Sequence, residues 1–156
     1  MTTPAVPKRL QVIDRLVAVL TAITAGADYF FKPAEVLKRL VAIDECSGFP
    51  VYMVFPVSGG PIDFSGAPDE YDEDMEILIK GYAKDTLDPV TEVERCLRDV
   101  RRAINEDSKS GVAGTLGVLA VETRIEASPE TEFSIDGFGG FDQRIRVKIT
   151  GTFGEI

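Results

Sequence analysis

Residues 68–85 read PDEYDEDMEILIKGYAKD, and six of the eight residues from Asp69 to Glu76 are acidic. The second half of the stretch alternates. Met75, Ile77, Ile79, Gly81 and Ala83 fall on one side of an extended chain, and Asp74, Glu76, Lys80 and Tyr82 fall on the other. A period of two with one apolar face is the pattern of a half-buried strand. Met75–Ala83 is therefore expected to be a strand entered through an acidic approach. Phe49–Val57 is denser, with Val51, Met53, Phe55 and Val57 on one face and Tyr52 and Val54 on the other, as in a strand covered on both sides. Leu116–Ala127 places Leu119, Val121, Thr123 and Ile125 inward and Glu122, Arg124 and Glu126 outward. Phe141–Phe153 places Ile145, Val147, Ile149 and Phe153 inward and Arg144, Arg146 and Lys148 outward. These last two segments read as a hairpin, because glutamates on one outer face can pair across with arginines and a lysine on the other.

Two segments follow the helical period instead. After an arm with Pro4 and Pro7, residues 1–7 and expected to be flexible, Lys8–Ala25 carries Leu10, Ile13, Val17, Leu20 and Ile23 at steps of three and four. Val12, Leu16 and Val19 widen that stripe beyond one face. Pro7 suits the start of this helix and Gly26 its left-handed end. The second helix opens at Asp88 and Pro89, a capping carboxylate followed by a proline that needs no amide partner. Val90, Val93, Leu97, Val100 and Ile104 make its seam, Glu94–Arg98 and Arg95–Asp99 are expected charge pairs on its outer face, and NEDSKSG at 105–111 ends it. Residues 32–46, KPAEVLKRLVAIDEC, fit either a helix or an extended strand. The loops at 56–70 and 128–140 are long and rich in Gly, Ser and Pro; loops of such length serve function or lack order. The fold expected is one α+β domain over residues 1–156. Its antiparallel or mixed sheet of four to five strands packs against two helices and ends in a long hairpin.

Composition narrows the function. The chain has 156 residues and a net charge of −9, the wrong sign for a binder of free nucleic acid, whose affinity comes largely from phosphate neutralisation. Its longest apolar stretch, Leu16–Ala27, is broken by threonines and too short to span a bilayer. The beginning, MTTPAVPKRL, lacks the apolar core of a signal peptide, and two cysteines without C-x-x-C spacing suit a reduced compartment. A cytosolic, membrane-free protein is expected. There is no histidine, which removes Ser-His and Cys-His nucleophile pairs and the commonest transition-metal ligand. Cys46 and Cys96 have no evident activating base and read as small apolar residues. The glycine clusters at 58–60 and 137–140 lack the Lys-Ser/Thr of a phosphate loop. The acidic run has neither the central glycine nor the closing glutamate of a calcium loop. No catalytic residue, metal ligand or cofactor is expected, and the bland reading of the run is a solvated strand entrance that protects an edge.

In arrangement the chain resembles the tail terminator (tail completion) proteins of long-tailed bacteriophages. The resemblance rests on a first helix ending at TAITAGADYF, a Pro-Ala-x-Val segment, the strand GFPVYMVF, the acidic approach to MEILIKGYA, the helix DPVTEVERCLRDVRRAIN, and the hairpin LAVETRIEA…DQRIRVKITGTFG. It covers roughly residues 10–153. It implies that residues 33–44 are extended, and that the subunit is a virion protein assembled in the host cytoplasm into a ring, typically a hexamer. The ring would sit at the tail–neck junction, cap the tail tube protein, stop its elongation and dock the head–neck connector protein. Head-completion or neck proteins are the nearest rival. A ring uses heterologous contacts, and two surfaces of opposite sign suit one: acidic Asp69, Glu70, Asp72, Glu73, Asp74 and Glu76, and basic Arg144, Arg146 and Lys148, whose replacement would barely change stability. Equally, the two patches can satisfy each other within one subunit. Two other readings stay open. One is a small metal-dependent enzyme using carboxylates of the run with Asp88 or Asp142; the other is an intracellular binding domain using the loops at 56–70 and 128–140.

Overall fold

A computed structural model describes residues 3–57, 62–63, 70–110 and 122–152. In chain order the elements are α1 (Lys8–Thr21), β1 (Glu35–Leu37), β2 (Val51–Pro56), β3 (Ile62–Asp63), β4 (Glu70–Lys84), α2 (Pro89–Ser110), β5 (Glu122–Phe133) and β6 (Phe138–Thr152). The architecture is α+β. Among the described residues the strands form one six-stranded mixed sheet in the order β1-β2-β4-β6-β5, with β3 also paired to β4. Only β1 and β2 run parallel among these pairs.

Strand β4 is the spine. It is 15 residues long and pairs with β6 along its whole length, from Glu70 opposite Thr152 to Lys84 opposite Phe138. The alternation read from Met75 onward extends backward through the acid, so Tyr71 and Glu73 join the inner face with Met75, Ile77 and Ile79. Because β4 lies between β2 or β3 on one side and β6 on the other, the acidic approach does not guard a free edge, and that expectation is corrected. The long loop expected at 128–140 is also corrected. Strand β5 continues to Phe133 and β6 begins at Phe138, leaving a tight turn in which Ser134 and Phe138 share a backbone hydrogen bond of 2.9 Å. Gly137 makes that turn possible with φ +84°, and a Cβ there would stand 2.6 Å from the Cα of Thr86. The hairpin expectation itself holds from Glu122 onward; residues 116–121 and Phe153 lie outside the described residues.

Both helices cover the inner face. Val93, Cys96, Leu97, Val100 and Ile104 of α2 join Met75, Ile77, Ile79, Ile145, Val147 and Ile149 in one core, while Val90 is half exposed and drops out of the expected seam. Asp88 caps α2 as expected, accepting the Thr91 amide at 3.0 Å and its hydroxyl at 2.6 Å. These hydrogen bonds hold its carboxyl below the usual carboxylate range. In α1 the buried side chains are Val12, Ile13, Leu16 and Leu20, with Leu10 exposed, so the stripe is centred one position away from the expected one. The helix also stops at Thr21 instead of Ala25, without using Gly26. The Thr21 hydroxyl bonds back to the Val17 carbonyl at 2.6 Å, and Ile23 turns down into the core.

Residues 32–46 resolve as extended chain at Glu35–Leu37, paired to Val51–Met53, followed by a 3-10 turn at Ile43–Glu45. The helical alternative fails because this segment lies over the outer face of β2. There Val41 packs against Val51 and Met53, flanked by Leu37, Cys46 and Phe55. That cover explains why β2 is apolar on both faces.

Candidate functional site

The acidic run is divided by the strand pleat. Asp69 lies outside the described residues. Glu70 is exposed, and Asp72 accepts a 2.6 Å hydrogen bond from the Thr150 hydroxyl. Glu73 points inward, is 5% exposed and meets Arg9 of α1 at 3.4 Å. Asp74 stands opposite Lys148 in the ladder, and Glu76 pairs with Arg144 at 3.0 Å. On the far side of β6, Arg146 pairs with Glu126 of β5 at 2.8 Å. The acidic and basic patches therefore meet inside one chain, because β4 and β6 are neighbours in the sheet. Both pairs keep an exposed guanidinium and are worth about 0–1 kcal/mol. Reversing Arg144 or Arg146 would set like charges within the chain as well as between copies. Among the described residues no three acidic or cysteine side chains converge to hold a metal ion. Of the outlying carboxylates weighed for that role, Asp88 caps α2 and Asp142 pairs with Lys80 at 3.0 Å.

Sequence reasoning missed Asp99. Helical spacing places it on the outer face as a partner of Arg95, yet it is fully buried and accepts the backbone amides of Phe30 at 3.0 Å and Phe31 at 3.0 Å. Beside it, Arg98 reaches the Asp28 carbonyl and the Asp99 carboxylate. These bonds staple the segment after α1 to the middle of α2. Gln143 is buried too. Its amide donates to the Glu126 and Arg144 carbonyls at 2.9 and 3.1 Å and accepts from Arg101 at 3.0 Å, beside the irregularity in β5 between Glu126 and Glu130. Neither role has a local signal. Cys96 is buried against Tyr52, and burial pushes its thiol up to about 12, far from the thiolate a nucleophile needs.

Two surface features remain. The first is an apolar end of the molecule, where the turn between β4 and α2 abuts the β5–β6 turn through a 2.9 Å bond from the Asp85 amide to the Gly137 carbonyl. Leu87 is 93% exposed there and Ile135 wholly exposed, and Val90, three residues after Leu87, is half exposed. The second is a cleft of about 510 Å³ on the outer face of the sheet. Its apolar lining includes Tyr82, Phe138, Ile43 and Gly140, with Glu132 and the Lys80–Asp142 pair on its rim. The Tyr82 hydroxyl donates to the Val41 carbonyl at 3.1 Å, which holds the ring in place, and burial raises the pKa of its phenol.

Compared with protein-family models and with curated proteins, the chain matches none.

Proposed function

We propose that this chain is a structural, non-catalytic subunit of a phage tail, a terminator that caps the tail tube as a ring, typically of six copies. The ring would stop tube elongation and offer a docking face to the head–neck connector. The observation that carries the reading is the apolar end. Leu87 and Ile135 are among the most exposed large apolar side chains described, and the turns that carry them are joined by the Asp85–Gly137 backbone hydrogen bond. Turns are normally polar, and clustered apolar exposure marks a surface that another protein covers. The resemblance in element order supports the same reading: helix, extended segment, apolar strand, acidic strand, helix and closing hairpin.

Light scattering and negative-stain electron microscopy of the purified chain, alone and with tail tubes, test it. Rings, or a monomer that forms rings only on tube ends, are expected. The double variant Leu87→Asp, Ile135→Asp is expected to melt like the parent, since neither side chain is buried, and to lose ring formation and tube capping. A chain that stays monomeric and leaves tube length unchanged overturns the proposal.

A further inference from the structure

The chain carries a segment whose chemistry complements the outer-face cleft. Ahead of α1 the sequence reads Pro4-Ala5-Val6-Pro7-Lys8. Thr3–Pro7 is exposed, Val6 at 51%, and Pro7 has φ −55° and ψ 138°, close to polyproline II. A proline-spaced segment in that conformation loses little entropy on docking and fits grooves lined by aromatic rings. The cleft has such rings in Tyr82 and Phe138. Glu130 and Glu132 stand at its side with no ion pair among the described residues, a suitable setting for the lysine that follows Pro7.

The segment cannot reach the cleft of its own chain. Arg9 is tied to Glu73 on the inner face, and Tyr82 lies nine residues further along β4 on the outer face. At about 3.3 Å per residue that separation is roughly 30 Å, whereas the five residues from Pro4 to Lys8 extend at most about 18 Å. A second copy has no such restriction. We infer that the Pro4–Lys8 segment of one copy docks in the Tyr82–Phe138–Gly140 cleft of the next. Segment and cleft are different surfaces of one chain, so the contact is heterologous and repeats around a ring. The inference rests on the ring reading for its biological setting, while the contact itself is tested separately.

The test titrates a fluorescent peptide of residues 2–11, TTPAVPKRLQ, onto the full chain at concentrations where it is dilute. Saturable binding is expected, weakened at least tenfold by Gly140→Val and by Glu132→Arg. A Cβ at Gly140 would stand 3.4 Å from the Gly81 carbonyl oxygen and 3.6 Å from the Tyr82 ring, so the first variant sets its added carbons against the ring that lines the cleft, and a thermal melt checks its fold. The second leaves the cleft open and changes only its rim. A peptide with Pro4→Gly and Pro7→Gly is expected to bind at least tenfold more weakly. No binding, binding unchanged in both protein variants, or equal binding of an unrelated proline-rich peptide overturns the inference. Rings that persist in the full chain carrying Pro4→Gly and Pro7→Gly overturn the arm contact and leave the ring proposal standing. Peptide binding by a chain that never forms rings has the opposite meaning: it upholds the contact and sinks the tail reading.

Discussion

On the inner face of the sheet, Met75, Ile77, Ile79, Ile145, Val147 and Ile149 are all closed off from water under the two helices. On the outer face the same strands carry Asp74, Glu76, Lys80, Asp142, Arg144, Arg146 and Lys148, and among the described residues the Val41 segment roofs the β2 side. The inner face is held by burial, which is large per side chain and is not screened by salt. The outer face is held by charge pairs that are small, separable and screened. The strand pleat thus assigns stability to one side and leaves the other free for contacts, so the two faces should respond to mutation on different scales.

The largest effect is expected on the inner face. Leu97→Ala should cost about 2–5 kcal/mol by chemical denaturation, the range for a buried leucine that leaves a cavity. A loss under about 1 kcal/mol would mean that α2 is not seated on the sheet.

Next comes the polar staple behind that face. Asp99→Ala strips the acceptor from the Phe30 and Phe31 amides, each worth about 1–3 kcal/mol when left unsatisfied in the interior. Asp99→Asn keeps one acceptor oxygen and should lose less. Hydrogen exchange at those two amides would accelerate in both variants, and unchanged exchange would refute the staple.

On the outer face the scale drops. Arg146→Ala should change stability by about 1 kcal/mol or less, and a double-mutant cycle with Glu126→Ala should give a coupling that fades in high salt. Coupling of several kcal/mol would break the distinction between the faces.

The smallest signal at neutral pH belongs to Cys96. A thiol reagent at pH 8 should modify Cys46 first and leave Cys96 untouched until the protein is denatured. The sign of its pH dependence follows from the raised thiol. Below the unfolded value near 9.0 both states keep the proton and stability is unaffected; as pH climbs toward about 12 the unfolded chain deprotonates first and stability falls. Early labelling of Cys96, or stability that rises over this alkaline range, would contradict its burial.

Much of this was legible in one dimension. The cap at Asp88–Pro89, the α2 seam from Val93 to Ile104, the alternation in β4 and the C-terminal hairpin are periodic or local, and local rules read them. Where the signal was short or mixed, reading stopped. Lys32–Cys46 has apolar residues that fit either period, and its extended form depends on β2 having an outer face to cover. The turn at 134–137 was hidden inside a glycine-rich loop because β5 runs on past its irregularity, where Gln143 supplies bonds that no local pattern predicts. The cleft was invisible because Ile43, Tyr82, Glu132 and Gly140 come from three separate parts of the chain.

Composition and period by themselves determined an acidic α+β chain without histidine, with two helices and long strands of known inward face. Side-chain direction along a strand depends only on the alternation of the backbone. Beyond the β5–β6 hairpin, tertiary structure alone decided which strands are neighbours. Once β6 lies against β4, Glu76 finds Arg144 in its own chain, Asp99 becomes an interior acceptor instead of a surface charge, and a cleft opens across the outer face. Those outcomes depend on strand order and register, which arise from contacts between residues far apart in sequence.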